Sequence, residues 1–139
     1  MKPHNEKENL TMERDLRERT KRFALRIIKL YVALPSRGVG KVLGLQVLKA
    51  GTSVGAHYRE AQRAKSNADF ISKIEGALQE LDETGYWLEL LAEGNVLPAK
   101  RLTALRQEGE ELVSILVTIV KKVKAKGRLR TKQKLAAAE

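Results

Sequence analysis

His57 and Glu60 stand one helical turn apart, a spacing at which an imidazole and a carboxylate can share a proton or a metal ion. A carboxylate-bridged two-metal site in a helical bundle needs Glu-x-x-His from two helices and a Glu from each of two more. Here the order is reversed and occurs once, and the other histidine, His4, lies in the polar N-terminal segment. A surface or subunit-contact histidine is the plainer reading. Glu80, Asp82 and Glu83 could be paired as acid and base on paper, but three acids on one exposed helix face are ordinarily solvated. No G-x-S-x-G and no metal-spaced histidine pair occurs, and the absence of cysteine excludes disulfides, thiolate catalysis and zinc-thiolate sites. These residues point away from an enzyme, and no cofactor or metal is expected.

A second candidate is "KAGTSVGAHYREA", residues 49–61, with Gly51 and Gly55 inside what otherwise reads as helix. Each helix-interior glycine costs roughly 1 kcal/mol relative to alanine, so something must offset it. A phosphate cradle would need the G-x-x-x-x-G-K-[ST] spacing after a strand, and "GTSVG" has neither.

The third candidate is charge. The net charge of +10 is unevenly spread. Lys121, Lys122, Lys124, Lys126, Arg128, Arg130, Lys132 and Lys134 place eight cations within fourteen residues, with no acid among them. Arg14 to Lys65 is also basic, with Arg22 and Arg26 among its cations and only Asp15, Glu18 and Glu60 opposing them. Between Ser66 and Val120 the balance reverses: ten acids face Lys73, Lys100, Arg101 and Arg106. Such a chain can attract its own copies as well as polyanions. The run after Lys121 could release several counterions from RNA or DNA. With no aromatic residues interleaved for base stacking, it would read backbone or shape rather than sequence. A frayed, solubilising tail is the competing reading.

The elements that must position these residues are helical. Leu16, Thr20, Phe23, Ile27, Leu30, Tyr31 and Leu34 recur at three and four, predicting a helix from about Met12 to Leu34 that Pro35 to Gly38 breaks. Leu43, Val47, Ala50, Val54, Tyr58 and Ala61 form a stripe over 39–64 that stays in phase across Gly51 and Gly55, so this is one continuous helix. Ser66 and Asp69 resemble a capping box opening a third helix, whose face is Phe70, Ile71, Ile74, Ala77, Leu78, Leu81, Gly85 and Leu88 and which Gly94-Asn95 stops. Pro98 marks the first turn of a fourth helix carrying Leu102, Leu105, Leu112, Val113, Leu116, Ile119, Val120 and Val123. Matched lengths and short links predict an all-α, antiparallel up-down-up-down four-helix bundle over residues 12–126. Disordered tails are expected at 1–11 and 127–139, and the closing "KLAAAE" resembles vector-encoded residues. No apolar run approaches the ~20 residues of a membrane span and no signal sequence opens the chain, so a cytoplasmic protein without membrane contact is expected.

Gly44, Gly51 and Gly55 fall beside the apolar stripe of the second helix, with Gly40 nearer to it. Small residues at such spacings admit a neighbouring helix closely, within the bundle in the simpler case or from another subunit. Leu45 and Leu48 point away from Leu43, and Tyr86, Trp87, Leu90 and Leu91 cluster near the end of the third helix. An apolar cluster holding the sole Trp favours self-association, although a wide core could absorb it. Gly44, Leu48, Gly51, Gly55, Trp87 and Leu90 are therefore candidates for helix packing or a subunit interface.

Two stretches, "DLRERTKRFALRIIKLYVALP" and "VLGLQVLKAGTSVGAHYREAQRAKSNADFISKIEGALQELDETGYWLELL", resemble the bacterial four-helix bundle protein family, also called the 23S ribosomal RNA intervening-sequence protein family. The similarity runs from about Asp15 to Val123, with Ala50 where the family usually has Ser and His57 where it has Asn. The resemblance implies an antiparallel four-helix bundle assembling into a homopentamer around a central channel. Members are encoded in insertions within large-subunit ribosomal RNA genes. A related protein, the accessory protein of diversity-generating retroelements, binds nucleic acid and partners a reverse transcriptase. The resemblance implies no catalytic residues. The expected function is thus nucleic-acid binding by a basic oligomeric bundle, the alternative being an adaptor for another protein such as a reverse transcriptase.

Overall fold

A computed structural model describes residues 4–138, with side-chain placement from residue 15 onward. It has four helices: α1 (His4–Ala33), α2 (Gly38–Gln62), α3 (Asn67–Glu93) and α4 (Ala99–Ala138). No strand occurs among the described residues.

The helix ends follow the local chemistry. Leu34 to Arg37 separates α1 from α2, and Gly38 opens α2 at a φ of +69°, a conformation that glycine adopts freely. The Ser66 hydroxyl caps α3 by accepting the Asp69 N–H at 3.1 Å. At the other end of α3 the Gly94 N–H returns to the Leu90 carbonyl at 2.8 Å, and Asn95 turns the chain at a φ of +59°. The Arg101 N–H closes the first turn of α4 on the Pro98 carbonyl at 2.9 Å.

Each helix meets its neighbours in a ring: α1 on α2, α2 on α3, α3 on α4, and, less closely, α4 on α1. Among the described residues the diagonal pairs stay apart. Partner numbers fall along α1 as they rise along α2: Gly44 meets Tyr31 and Leu34, Gly51 meets Ile27, and Gly55 meets Thr20. The apolar stripes converge on one core that includes Phe23, Ile27, Val54, Ile74, Leu88, Leu91, Leu112 and Leu116. Burial of such side chains is the main stabilising term. Two polar residues share the core and both are satisfied within their own helix: Thr20 Oγ1 donates to the Leu16 carbonyl and Thr84 Oγ1 to the Glu80 carbonyl, each at 2.7 Å.

Two expectations differ from the structure. α1 already runs through residues 4–11, and α4 continues through 127–138, where disordered tails were expected. The physical reason in α4 is composition. Lys, Arg, Ala, Leu and Gln are good helix formers. Between 127 and 138 no proline intervenes, and only Gly127 and Thr131 are weaker helix formers. α4 is consequently ~60 Å long and outruns its neighbours.

Candidate nucleic-acid interface

The long helix puts its cations in one place. Lys121, Lys122, Lys124, Lys126, Arg128 and Arg130 are all exposed, as are Lys132 and Lys134. At 100° per residue they surround the helix rather than form a stripe. Lys124 reaches Glu75 on α3 at 3.5 Å, and no other cation of the run has an acid within 4 Å among the described residues. Where α4 leaves the bundle, Lys122, Lys126 and Lys65 stand over a hollow of about 520 Å³ floored by Leu16, Tyr58, Phe70 and Ile119.

Arg22 and Arg26 do not join this group. They lie exposed on α1 at the α1–α4 seam, where Arg26 shares a shallow depression with Lys29 and Arg101. Lys121 is about 26 Å further along α4 from Ala104, which lines the same depression. Between the two basic regions Arg19 locks the seam. Its guanidinium donates through Nε to Glu108 at 2.9 Å and through Nη2 to Glu108 at 2.7 Å, and it also reaches Glu111. The paired hydrogen bonds from Arg19 hold the Glu108 carboxyl below its usual range, and Glu108 in turn raises Arg19. Arg19 is thus a structural cation, and Arg22 and Arg26 are the ones left facing solvent.

The glycine strip is occupied within the chain. Gly44, Gly51 and Gly55 are buried, and a Cβ on Gly51 would sit 2.6 Å from Ile27 Cγ1. Leu48 and Trp87 are half-buried and pack on the core, Leu90 is half-buried, and Leu91 is fully enclosed. Tyr86 stays exposed, its ring 5.1 Å from that of Trp87.

His57 occupies the α2–α3 seam, so it is not simply a surface group. Its ring covers Gly76, where an added Cβ would lie 3.0 Å from Nδ1. Glu60 and Glu80 approach at 3.8 and 3.9 Å, beyond hydrogen-bonding distance, and Nδ1 is buried without a hydrogen-bond partner. Burial raises the Glu80 carboxyl, Glu83 adds to the rise and His57 opposes it. Among the described residues no three His, Asp or Glu side chains converge on a metal-sized site, and no helix is long and apolar enough to cross a membrane.

Sequence reasoning missed two features: the basic stretch as a continuous helical rod, and the hollow at its root. A helix-forming composition without breakers was the available signal for the rod. The hollow had none, because it needs α1, α2 and α3 to be assembled first.

Comparison with known proteins places this arrangement. Residues 12–118 match the family described as 23S rRNA-intervening sequence protein. No curated protein matches the chain. A crystallised protein of unknown function from the S23 ribosomal protein family of Bacteroides thetaiotaomicron VPI-5482 is 36% identical, with a TM-score of 0.72. The alignment covers 78% of this chain and 97% of that one. The matched segment holds α2, α3 and most of the packed part of α1 and α4, so the residues that build the bundle are the ones shared: the chain belongs to the 23S rRNA-intervening sequence protein family.

Proposed function

We propose that this protein is a non-enzymatic, self-associating, antiparallel up-down-up-down bundle, most simply a cytoplasmic homopentamer, that holds RNA or DNA by its phosphate backbone. The observation that supports this most is the C-terminal stretch of α4, a helix bearing eight exposed cations with a single described acid in reach. Cations on all sides of a rod suit a ligand whose charge is continuous, and a helix spaces them without the entropy cost of ordering a coil. Apolar groups left on the outside of α1 and α2 support self-association. The same groups favour a second reading, an adaptor that grips another protein such as a reverse transcriptase.

The test is anisotropy of a labelled generic RNA titrated with the full chain. Five phosphate contacts predict a loss of affinity of about a hundredfold between ~50 and ~200 mM salt. Exchanging Lys122, Lys126, Arg128 and Arg130 for Gln should flatten the salt dependence by roughly 0.7–0.9 for each phosphate no longer neutralised. An unchanged slope would remove α4 from the interface. Binding of a candidate protein partner with no affinity for RNA would favour the adaptor.

A further inference from the structure

Gly85 on α3 and Gly109 on α4 differ from every glycine of the α2 strip. A Cβ on Gly85 would meet no heavy atom within 4 Å, and one on Gly109 would only touch the edge of Phe23 at 3.7 Å. Both are helix-interior positions where glycine is costly. Between them lies an open cleft of about 310 Å³. Phe23, Leu81, Leu88, Leu105 and Val113 form its apolar lining, with Phe23 reaching it from α1. Asp82, Glu89 and Glu110 stand around it against Arg106 alone.

The opposite side of the bundle has the complementary character. The neighbours of Gly44 and Gly51 bring Leu45 and Leu48 level with Ile28 and Val32 of α1. Val32 is 76% exposed, and Ile28 and Leu45 are more than 40% exposed. Lys21, Lys41 and Lys49 surround them, and no acid occurs between Lys21 and Arg59. In the ring of helices, the α1–α2 side lies across the bundle from the α3–α4 side.

We propose that the α3–α4 cleft receives the apolar α1–α2 face of a second copy of this chain, with Val32 and Leu45 entering where Gly85 and Gly109 leave space. An apolar projection ringed by lysines fits an apolar cleft ringed by carboxylates, which commits the occupant to this chain's own opposite face. Because the two surfaces differ and lie on opposite sides, the contact is head-to-tail. It propagates from copy to copy until a ring closes, and a two-fold dimer cannot satisfy it. The inference rests on the self-association proposed above and specifies which surfaces perform it.

Two variants separate the surfaces. Gly85→Leu fills the cleft, and Val32→Glu with Leu45→Glu disables the face. Both alter exposed positions, and circular dichroism melting confirms that each remains folded. By light scattering the unaltered chain should give a mass several times 15.6 kDa, and each variant alone should fall to a monomer. Mixed in equal amounts, they should form a one-to-one pair and stop there, since one retains only the face and the other only the cleft. A wild-type mass kept by either folded variant, or a mixture that stays monomeric, overturns the pairing while leaving self-association intact. A monomeric unaltered chain at micromolar concentration instead overturns self-association itself.

Discussion

A Cβ placed on Gly51 would sit 2.6 Å from Ile27 Cγ1, whereas one placed on Gly85 would meet no heavy atom within 4 Å. Both residues lie inside helices and carry the same intrinsic penalty. On α2 the penalty is offset within the chain: Leu34, Tyr31, Ile27 and Thr20 occupy the space the glycines leave, so that α1 lies close against α2. On the α3–α4 side nothing in the chain fills the space, and carboxylates surround it. Identical residue types therefore mark a filled position on one seam and an unfilled cleft on another. The neighbour, and not the glycine, carries the functional information.

The largest effect is expected at Gly51. Gly51→Leu drives a branched side chain into Ile27, which is fully buried and has nowhere to go, so urea denaturation should show a loss of about 3 kcal/mol. A variant as stable as wild type would mean that the α1–α2 seam is loose. A double-mutant cycle sharpens the point. Gly51→Ala should destabilise the chain when Ile27 is present and stabilise it in an Ile27→Ala background, where only the helix preference for alanine remains. The coupling should be about 2 kcal/mol, and additivity would show that the two residues do not touch.

The α1–α4 seam gives the smallest effect. Arg19 holds Glu108 below its usual range, so this carboxylate adds stability above its unfolded-state pKa, and the contribution is lost as pH falls through the lowered folded value. Glu108→Gln should cost about 0.5 kcal/mol at neutral pH, with the gap to wild type closing in acid, as thermal melts across pH would record. A gap that widened in acid would reverse the assignment.

Much of the helical frame around the filled position was legible in the sequence. The stripe of α2 stays in phase across Gly51 and Gly55, which placed both in an unbroken helix, and Ser66 announced its cap through Asp69 three residues on. The unfilled cleft was not legible. Gly85 falls on the apolar face of α3 together with Leu81 and Leu88, and periodicity reports which way a residue points without saying what stands opposite. Gly109 sits among charges on α4 and gave no signal. His57 likewise needed Gly76, nineteen residues away on another helix, before its place at a seam could be seen. The helical continuation of α4 was obscured because like charges at i,i+4 repel, by only ~0.2–0.5 kcal/mol per pair, while Lys and Arg remain good helix formers.

The decisive contrast is local: α1 side chains fill the space beside Gly51, whereas the cleft beside Gly85 on the α3–α4 seam stays unfilled within the chain. Thermal melts of Gly51→Ala and Gly85→Ala, each in the Val32→Glu/Leu45→Glu background that leaves the cleft unoccupied, are the deciding measurement. The first should melt below that background because its methyl group collides with Ile27. The second should melt above it, by the equivalent of about 1 kcal/mol, because its methyl group enters empty space on a better helix. Two shifts of the same sign would contradict the account.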